Sequence, residues 1–171
     1  MVKRDAFTLY ELIIVIVTIG ILAAVAIPRL KTNTLQEETM QVVDFIRYTQ
    51  HLAMVDDKYD PSDPNWQQKA WCIQVNENNL SIFSGNVYAK DPITNKEITG
   101  GLKDNSNRDF QITLSPHTTI CFDELGRPYQ SNNNDIKYNH LLRNILKITA
   151  SYEGKEINIS IQPETGFVSL Q

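Results

Sequence analysis

The most uneven feature of the sequence is an aliphatic run over residues 12–27, which only Thr18 and Gly20 interrupt. Residues 7–27 would span about 30 Å as an α-helix, which matches the hydrocarbon thickness of a bilayer. Lys3 and Arg4 precede the run, and positive charge at this end favours a cytoplasmic amino terminus. The pattern therefore predicts a helix over 7–27 that crosses a membrane once.

Beyond Pro28 the apolar positions become periodic. Leu35, Val42, Ile46 and Ala53 fall on one face of a helix, with polar residues between them. We expect Pro28 to kink the helix, because proline lacks an amide hydrogen and crowds the preceding turn. The sequence thus predicts one long helix that is apolar over 7–27 and amphipathic over 28–55.

The rest of the chain, residues 56–171, shows the alternation that is typical of strands. Ile157, Ile159 and Ile161 alternate with Asn158 and Ser160, so one face is expected to be buried and the other wet. Strands are predicted over residues 70–75, 80–83, 110–114, 118–122, 145–152, 156–161 and 167–170, with a long loop over 84–109 and a short helix near 139–144. The predicted fold class is α+β, with the long amino-terminal helix packed on an antiparallel β-sheet.

Composition narrows the possible partners. The 171 residues carry a formal net charge of −4, which gives no overall electrostatic footprint for nucleic acid. Cys72 and Cys121 can form one disulfide if the domain is exported, and two buried free thiols are the alternative. The acidic segments 56–64 and 104–109 lack the spacing of a calcium loop, so we expect solvated loops, no metal and no cofactor.

Motifs of catalysis are absent from the sequence. There is no His-x-x-x-His, Cys-x-x-Cys, Gly-x-Gly-x-x-Gly or Gly-x-Ser-x-Gly spacing. His51, His117 and His140 are scattered along the chain. The sequence therefore predicts a protein that is not an enzyme and has no small-molecule substrate.

Glu11 needs an explanation, because a carboxylate within a membrane helix costs roughly 2.5–3.5 kcal/mol at mid-membrane. A secretory signal peptide, cleaved after Ala26, would release a soluble periplasmic protein, and a plain signal anchor would tolerate Glu11 near the headgroups. A third interpretation gives Glu11 a partner. If the chain were cut before Phe7, the carboxylate could neutralise the new α-ammonium of Phe7 on a neighbouring copy.

Residues 6–15, AFTLYELIIV, resemble the processing signal of type IV pilins and type II secretion pseudopilins. The match continues through residues 24–28, AVAIP, where members of the family place a helix-kinking proline. This chain departs from the family at Ala6, where glycine is usual, and at Asp5, where basic residues are commoner. Segments 122–128 and 163–168 are similar to those of H-type pseudopilins and minor pilins. Segment 122–128 also fits a strand-ending turn in which Asp123 bonds its own backbone and Gly126 takes a positive φ.

The resemblance implies a leader peptide of residues 1–6, cleavage between Ala6 and Phe7 by a prepilin peptidase, and N-methylation of Phe7. It implies that Glu11 supports assembly with other pilin or pseudopilin subunits. It also implies contact with inner-membrane lipid, and a single-pass protein with its amino terminus in the cytoplasm and its domain in the periplasm. From there the subunit would enter a periplasmic pseudopilus or a surface pilus.

The expected function is therefore a structural subunit of a type IV pilus or a type II secretion pseudopilus. One alternative is a binding module at a filament tip, for DNA uptake or adhesion. Its candidate residues are Lys90, Lys96, Lys103 and Arg108, but carboxylates are interleaved with them, so no nucleic acid partner is expected. The soluble protein released after Ala26 is the other alternative.

Overall fold

The computed structural model describes residues 8–29, 34–77, 79–100, 111–131 and 134–171. The chain divides into two compact units, Met1–Thr34 and Leu35–Gln171. The division falls a few residues beyond the predicted boundary at Pro28. Ala6, Phe7, Lys103 and Arg108 lie outside the described residues.

The helical part consists of two helices, α1 over Leu9–Arg29 and α2 over Thr34–Val55. The prediction of one long helix packed on a sheet is therefore wrong. Helix α1 is described as far as Arg29 and contains Pro28 in its last turn. Residues 30–33 lie outside the described part, so the structure does not describe a kink at Pro28.

The predicted transmembrane segment over residues 7–27 is also wrong. Crossing about 30 Å of hydrocarbon takes about 20 consecutive and predominantly apolar residues. Among the residues that the structure describes, no helix combines the length and the apolarity that a membrane crossing requires. The single-pass placement in the inner membrane, which was inferred from that segment, is corrected with it.

The described strands form two antiparallel sheets rather than the single predicted sheet, so the fold is mainly β with a small helical part. The first sheet has the strand order β3-β2-β1-β5-β6 and the second has the order β4-β7-β8-β9. The strands are β1 Trp71–Asn76, β2 Asn79–Ser84, β3 Val87–Tyr88, β4 Thr113–Ser115, β5 Thr118–Phe122, β6 Pro128–Gln130, β7 Leu146–Tyr152, β8 Lys155–Ile161 and β9 Val168–Leu170. Two short 3₁₀ helices cover Trp66–Lys69 and Tyr138–His140.

The second sheet arises because β4 and β5, which are adjacent in sequence, take different partners. Strand β4 pairs with β7, with Leu114 opposite Ala150. Strand β5 pairs with β1, with Ile73 opposite Ile120. Most predicted strand positions are confirmed, whereas β3 and β6 were not predicted. The predicted helix near 139–144 is reduced to the 3₁₀ turn at Tyr138–His140.

Both sheets bury one face in a core that they share with α2. The apolar stripe predicted on this helix is buried as expected, from Leu35 and Val42 through Ile46 to Ala53. Burying one aliphatic side chain of this size contributes about 1.5–3 kcal/mol. The core partners from the sheets include Ile73, Val75, Leu80, Ile82, Ile120, Phe122, Leu114, Ile148, Ile159, Ile161 and Val168.

Polar side chains of α2 form hydrogen bonds with the backbone of loops that lie outside the core. One carboxylate oxygen of Glu38 accepts hydrogen bonds from the backbone N–H groups of Gln111, at 2.8 Å, and Ile112, at 3.1 Å. The Tyr48 hydroxyl donates to the carbonyl oxygen of Lys90 at 2.9 Å. Each of these bonds satisfies a backbone group that no strand ladder reaches, so the helix fixes loops as well as sheets.

Gln50 joins two turns that are far apart in sequence. Its Nε2 amide donates to the carbonyl oxygens of Gly126, at 2.8 Å, and Thr165, at 2.9 Å. Gly126 and Gly166 both have positive φ, at 76° and 64°. A Cβ on Gly166 would lie 2.6 Å from the Gly126 carbonyl oxygen and 2.6 Å from the Gln50 amide nitrogen. The junction therefore requires glycine at position 166 for its conformation and for its space.

Cys72 and Cys121 lie directly opposite each other on β1 and β5 and form a disulfide. They belong to a second, smaller apolar cluster on the face of the first sheet that points away from the main core. Its other members are Ala70, Phe83, Tyr129 and Ile136, with Trp66 and Leu141 packed against it. The disulfide therefore joins two neighbouring strands beneath the segment that contains Ile136.

Replacing Gly166 tests the junction that Gln50 holds. Gly166→Ala is expected to lower the free energy of unfolding by about 3–4 kcal/mol, because strain at positive φ adds to the forced contacts. Gly154→Ala is the matched control, since Gly154 also has positive φ, at 77°, but a Cβ added there would meet nothing within 4 Å. It should lose only about 1–2 kcal/mol. Urea unfolding of both variants measures the difference, and equal losses would contradict the crowded junction.

Reducing the disulfide tests how much the cross-strand bond stabilises the domain. Cys72 and Cys121 are separated by 49 residues, and in the chain-entropy treatment a loop of this size is worth about 4 kcal/mol. Addition of dithiothreitol should therefore lower the free energy of unfolding by about that amount. The Cys72→Ala/Cys121→Ala double variant is the control and should not respond to the reductant. If dithiothreitol also leaves the free energy of unfolding of the wild type unchanged, the expectation is contradicted.

Candidate functional site

The amino-terminal end of α1 is closed by a reciprocal pair of side chains, Thr8 and Glu11. Oε2 of Glu11 accepts hydrogen bonds from the Thr8 backbone N–H at 2.9 Å and from the Thr8 hydroxyl at 2.8 Å. In return, the Glu11 backbone N–H donates to the Thr8 hydroxyl oxygen at 3.3 Å. This arrangement is a capping box, which satisfies backbone donors that the first turn of a helix leaves without partners.

Sequence reasoning identified Glu11 but not its role in the cap. The signal was present, because Thr8-Leu9-Tyr10-Glu11 has the Thr-x-x-Glu spacing of a capping box ahead of an apolar run. The cap gives Glu11 a local structural function that needs no second molecule. A role of Glu11 in assembly can therefore use only the charge and the carboxylate oxygen that the cap does not engage.

The cap leaves Glu11 with a negative charge and an unused oxygen. Hydrogen bonds from the Thr8 backbone and then from the Thr8 hydroxyl lower the pKa of the Glu11 carboxyl below its ordinary value. Both bonds are made to Oε2. Within the part of the chain that the structure describes, Oε1 has no hydrogen bond and Glu11 has no ion pair. The ionised carboxylate can therefore accept a further cationic partner.

Over residues 12–22 the surface of α1 is aliphatic apart from Thr18 and Gly20, and it is exposed. Leu9 is 78% exposed, Ile16 60% and Leu22 69%, and the intervening aliphatic side chains are exposed as well. The hydroxyl of Thr18 is satisfied within the helix, since it donates to the carbonyl oxygens of Ile14 and Val15 at 2.9 Å each. Apolar helix surfaces are normally buried. The exposed apolar surface of α1 therefore indicates that this helix packs against a partner.

The predicted site residues belong to different compact units of the chain. Glu11 lies in the first turn of α1 and Pro28 in its last, whereas Cys72 and Cys121 lie in the sheet of the other compact unit. Among the described residues, no group of three or more His, Cys, Asp or Glu side chains is placed to hold a metal ion. The candidate functional site is therefore the capped, apolar helix α1 itself.

Asp123 organises the turn between β5 and β6. Its side chain is buried, and Oδ1 accepts hydrogen bonds from the backbone N–H groups of Leu125, at 3.1 Å, and Arg127, at 2.8 Å. Oδ2 accepts from Nε of Arg127, at 2.7 Å, and from the hydroxyl of Tyr129, at 3.0 Å. These bonds and the positive φ of Gly126 confirm the predicted strand-ending turn. Burial, and then the charge of Asp123, raise the pKa of Tyr129 to about 12.

A second buried carboxylate, Asp135, was not singled out from the sequence. Oδ1 accepts a hydrogen bond from the Ser131 hydroxyl at 2.9 Å and lies 2.5 Å from Nδ1 of His140. Its other oxygen is 3.1 Å from Nζ of Lys137. Burial alone would raise the pKa of Asp135, but the bonds from Ser131, Lys137 and His140 hold it below the ordinary value. The cluster anchors the segment that covers the disulfide.

Comparison with known proteins finds no matching family model, no matching curated protein and no matching solved structure. The resemblance to pilins and pseudopilins therefore depends on the residues around Ala6, Phe7 and Glu11. Those residues and the geometry of α1 are the basis for a functional proposal.

The raised pKa of Tyr129 predicts a loss of stability at high pH. Because the phenol ionises at a lower pH in the unfolded chain than in the folded one, its contribution is complete below the ordinary pKa of 10.0 and is lost as the pH rises towards about 12. Urea unfolding at intervals from pH 9 to pH 11 should show this decline in the wild type and a shallower decline in Tyr129→Phe. Parallel curves for the two proteins would contradict the raised pKa.

Proposed function

We propose that this chain is a structural subunit, a minor pilin or pseudopilin, of a type IV pilus or a type II secretion pseudopilus. A prepilin peptidase would cut between Ala6 and Phe7 and methylate the new amino terminus at Phe7. The observation that carries the proposal is α1, in which an exposed aliphatic surface over residues 12–22 follows an ionised Glu11 in the first turn.

Side-by-side packing of α1 helices accounts for the apolar surface. Each leucine, isoleucine or valine that becomes buried between helices contributes about 1.5–3 kcal/mol. The Thr18 hydroxyl already donates to backbone carbonyls of its own helix. It therefore adds no unsatisfied donor to a contact between helices. The main core of the other unit is formed by residues from Leu35 onward, so α1 is not needed to complete it. The helix is therefore free to serve assembly.

Glu11 supplies the polar part of the contact. Cleavage before Phe7 creates an α-ammonium, which would be costly to bury among apolar helices without an opposite charge. Oε1 of Glu11 is unused by the cap within the described residues. It can accept the ammonium of a neighbouring copy while Oε2 continues to close the helix. Both charges are then paired in the assembled filament.

Two substitutions separate the cap from the charge. Glu11→Gln retains a capping box, because glutamine serves at that position as glutamate does, but it removes the negative charge. Thr8→Ala weakens the cap by about 0.5–2 kcal/mol and keeps the charge. Leaving a buried ammonium unpaired costs about 3–5 kcal/mol, so Glu11→Gln should lower incorporation into filaments by about 100-fold or more. Thr8→Ala should incorporate nearly as the wild type does.

Sheared and purified filaments from cells that contain the assembly machinery provide the measurement, by quantitative immunoblot of the subunit. Mass spectrometry of the amino terminus should give N-methylated Phe7. Normal incorporation of Glu11→Gln would contradict the role of the charge. An amino terminus at Ile27 would overturn the whole proposal in favour of a protein released after Ala26.

A further inference from the structure

An open groove runs from the turn between β2 and β3 onto the face of the first sheet that points away from α2. It consists of two adjoining clefts, of about 520 Å³ and about 280 Å³. Both clefts are lined by Gly85, Asn86 and Asn134, so they meet at the turn between β2 and β3. The larger volume lies within the range of about 300–1,000 Å³ that is usual for ligand sites.

The alternation of β1 and β2 creates the floor of the groove. Ile73 and Ile82 point into the main core, so their strand neighbours Gln74 and Ser81 project from the opposite face. Gln74 and Ser81 are directly opposite each other in the register of the two strands. The smaller apolar cluster around the disulfide covers part of this face, and the end with Gln74 and Ser81 stays open.

Two aromatic rings form one wall of the smaller cleft. Tyr88 is 44% exposed and meets the ring of Phe83 edge-on, with 6.4 Å between the ring centroids. Val87, the neighbour of Tyr88 on β3, is 65% exposed and lines the larger cleft instead. Tyr88 thus offers an accessible ring at the edge of a polar floor, and the Phe83 ring supports it from behind.

The side-chain amides that line the groove are neutral and have no protein partner among the described residues. Within the described part of the chain, the side-chain amides of five lining residues make no hydrogen bond with another protein group: Asn65, Gln68, Gln74, Asn86 and Asn134. The two lysines at the rim are already paired, Lys58 with Asp56 at 2.5 Å and Lys69 with Asp63 at 2.6 Å. No carboxylate is among the described residues that line the two clefts.

We propose that this groove binds a neutral oligosaccharide. A side-chain amide offers a donor and an acceptor in one plane, which matches the hydroxyl groups of a sugar, each of which is also both donor and acceptor. The exposed Tyr88 ring suits the apolar C–H face of a sugar ring. An anionic ligand would instead require free cationic groups, and both lysines are already neutralised.

The site is independent of α1 and of the charge on Glu11. It goes beyond the proposed structural role, because it gives the subunit a recognition surface of its own. Loss of glycan binding would leave filament incorporation unchanged, and failure of assembly would leave the groove intact. The two proposals can therefore fail separately.

The binding experiment uses the full chain, kept in a zwitterionic detergent without a sugar headgroup. The neutral probes are cellotetraose, maltotetraose and tetra-N-acetylchitotetraose, and the anionic probes are a heparin tetrasaccharide and oligothymidylate. In ¹⁵N-resolved NMR spectra, at least one neutral probe should shift the side-chain amide signals of Gln74, Asn86 and Asn134 in a saturable way. No shift with any neutral probe, or saturable shifts with the anionic probes alone, would overturn the proposal.

Variants locate the binding. Tyr88→Ala and Asn86→Ala, both at exposed positions, should each weaken the affinity about tenfold, which corresponds to about 1.4 kcal/mol. Tyr138→Ala and Asn144→Ala remove an exposed ring and an exposed amide outside the groove, and they should bind as the wild type does. Unchanged spectra away from the substitution show that each variant is folded. Equal affinities for the groove variants and the controls would place the binding elsewhere and contradict the inference.

Discussion

The described domain depends on one shared partner, because both sheets bury their inner faces against α2. Val42, Val43 and Ile46 lie at the centre of that contact and are almost fully buried. The same helix also makes hydrogen bonds through its polar side chains. The Gln50 amide donates to carbonyl oxygens in two separate turns. Neither sheet alone has enough strands of sufficient length to enclose a core, since several have only two or three residues. Packing and backbone hydrogen bonding therefore converge on a single element, and a defect in α2 would reach both sheets at once.

The sequence allowed good placement of individual elements and poor placement of their partners. Local alternation is enough to locate a strand such as Lys155–Ile161, since every second side chain is apolar. It contains no information about pairing, so the separation of β4 and β5 into different sheets was not predictable from Pro116 and His117 between them. Strands as short as Val87–Tyr88 have no period to recognise. The single long helix failed for a related reason, because apolar periodicity locates helical residues such as those of α1 and α2 but does not show that they belong to one helix.

Part of the candidate site was also predictable from the sequence. The importance of Glu11 was predicted, whereas its hydrogen bonds with the nearby Thr8 were not. Glu11 stood out because a carboxylate in an apolar run is costly, which led directly to the search for a cation. The hydroxyl three residues before it was overlooked, although it satisfies part of the same carboxylate. The two roles do not compete, because the cap uses Oε2 alone. A cap by itself would accept glutamine equally well, so the capping box explains a polar residue at position 11 and leaves the charge to be explained by a partner.

The acidic character of the domain and the neutrality of its groove have a common physical basis. Several aspartates are engaged by their own loops: Asp57, Asp60, Asp63 and Asp91 each accept a backbone N–H from the residue two positions later. These bonds lower the pKa of Asp60, with the Ser62 hydroxyl as the largest cause. The pKa of Asp91 is also lowered, although burial works against it. The carboxylates thus serve as turn formers, and two further carboxylate contacts pair with Lys58 and Lys69.

Because both lysines are paired, the unpaired groups of the described residues that face the groove are amides, hydroxyls and an aromatic ring. A domain with net negative charge can in this way present a binding surface whose selectivity comes from hydrogen-bond geometry and ring stacking rather than from its overall field.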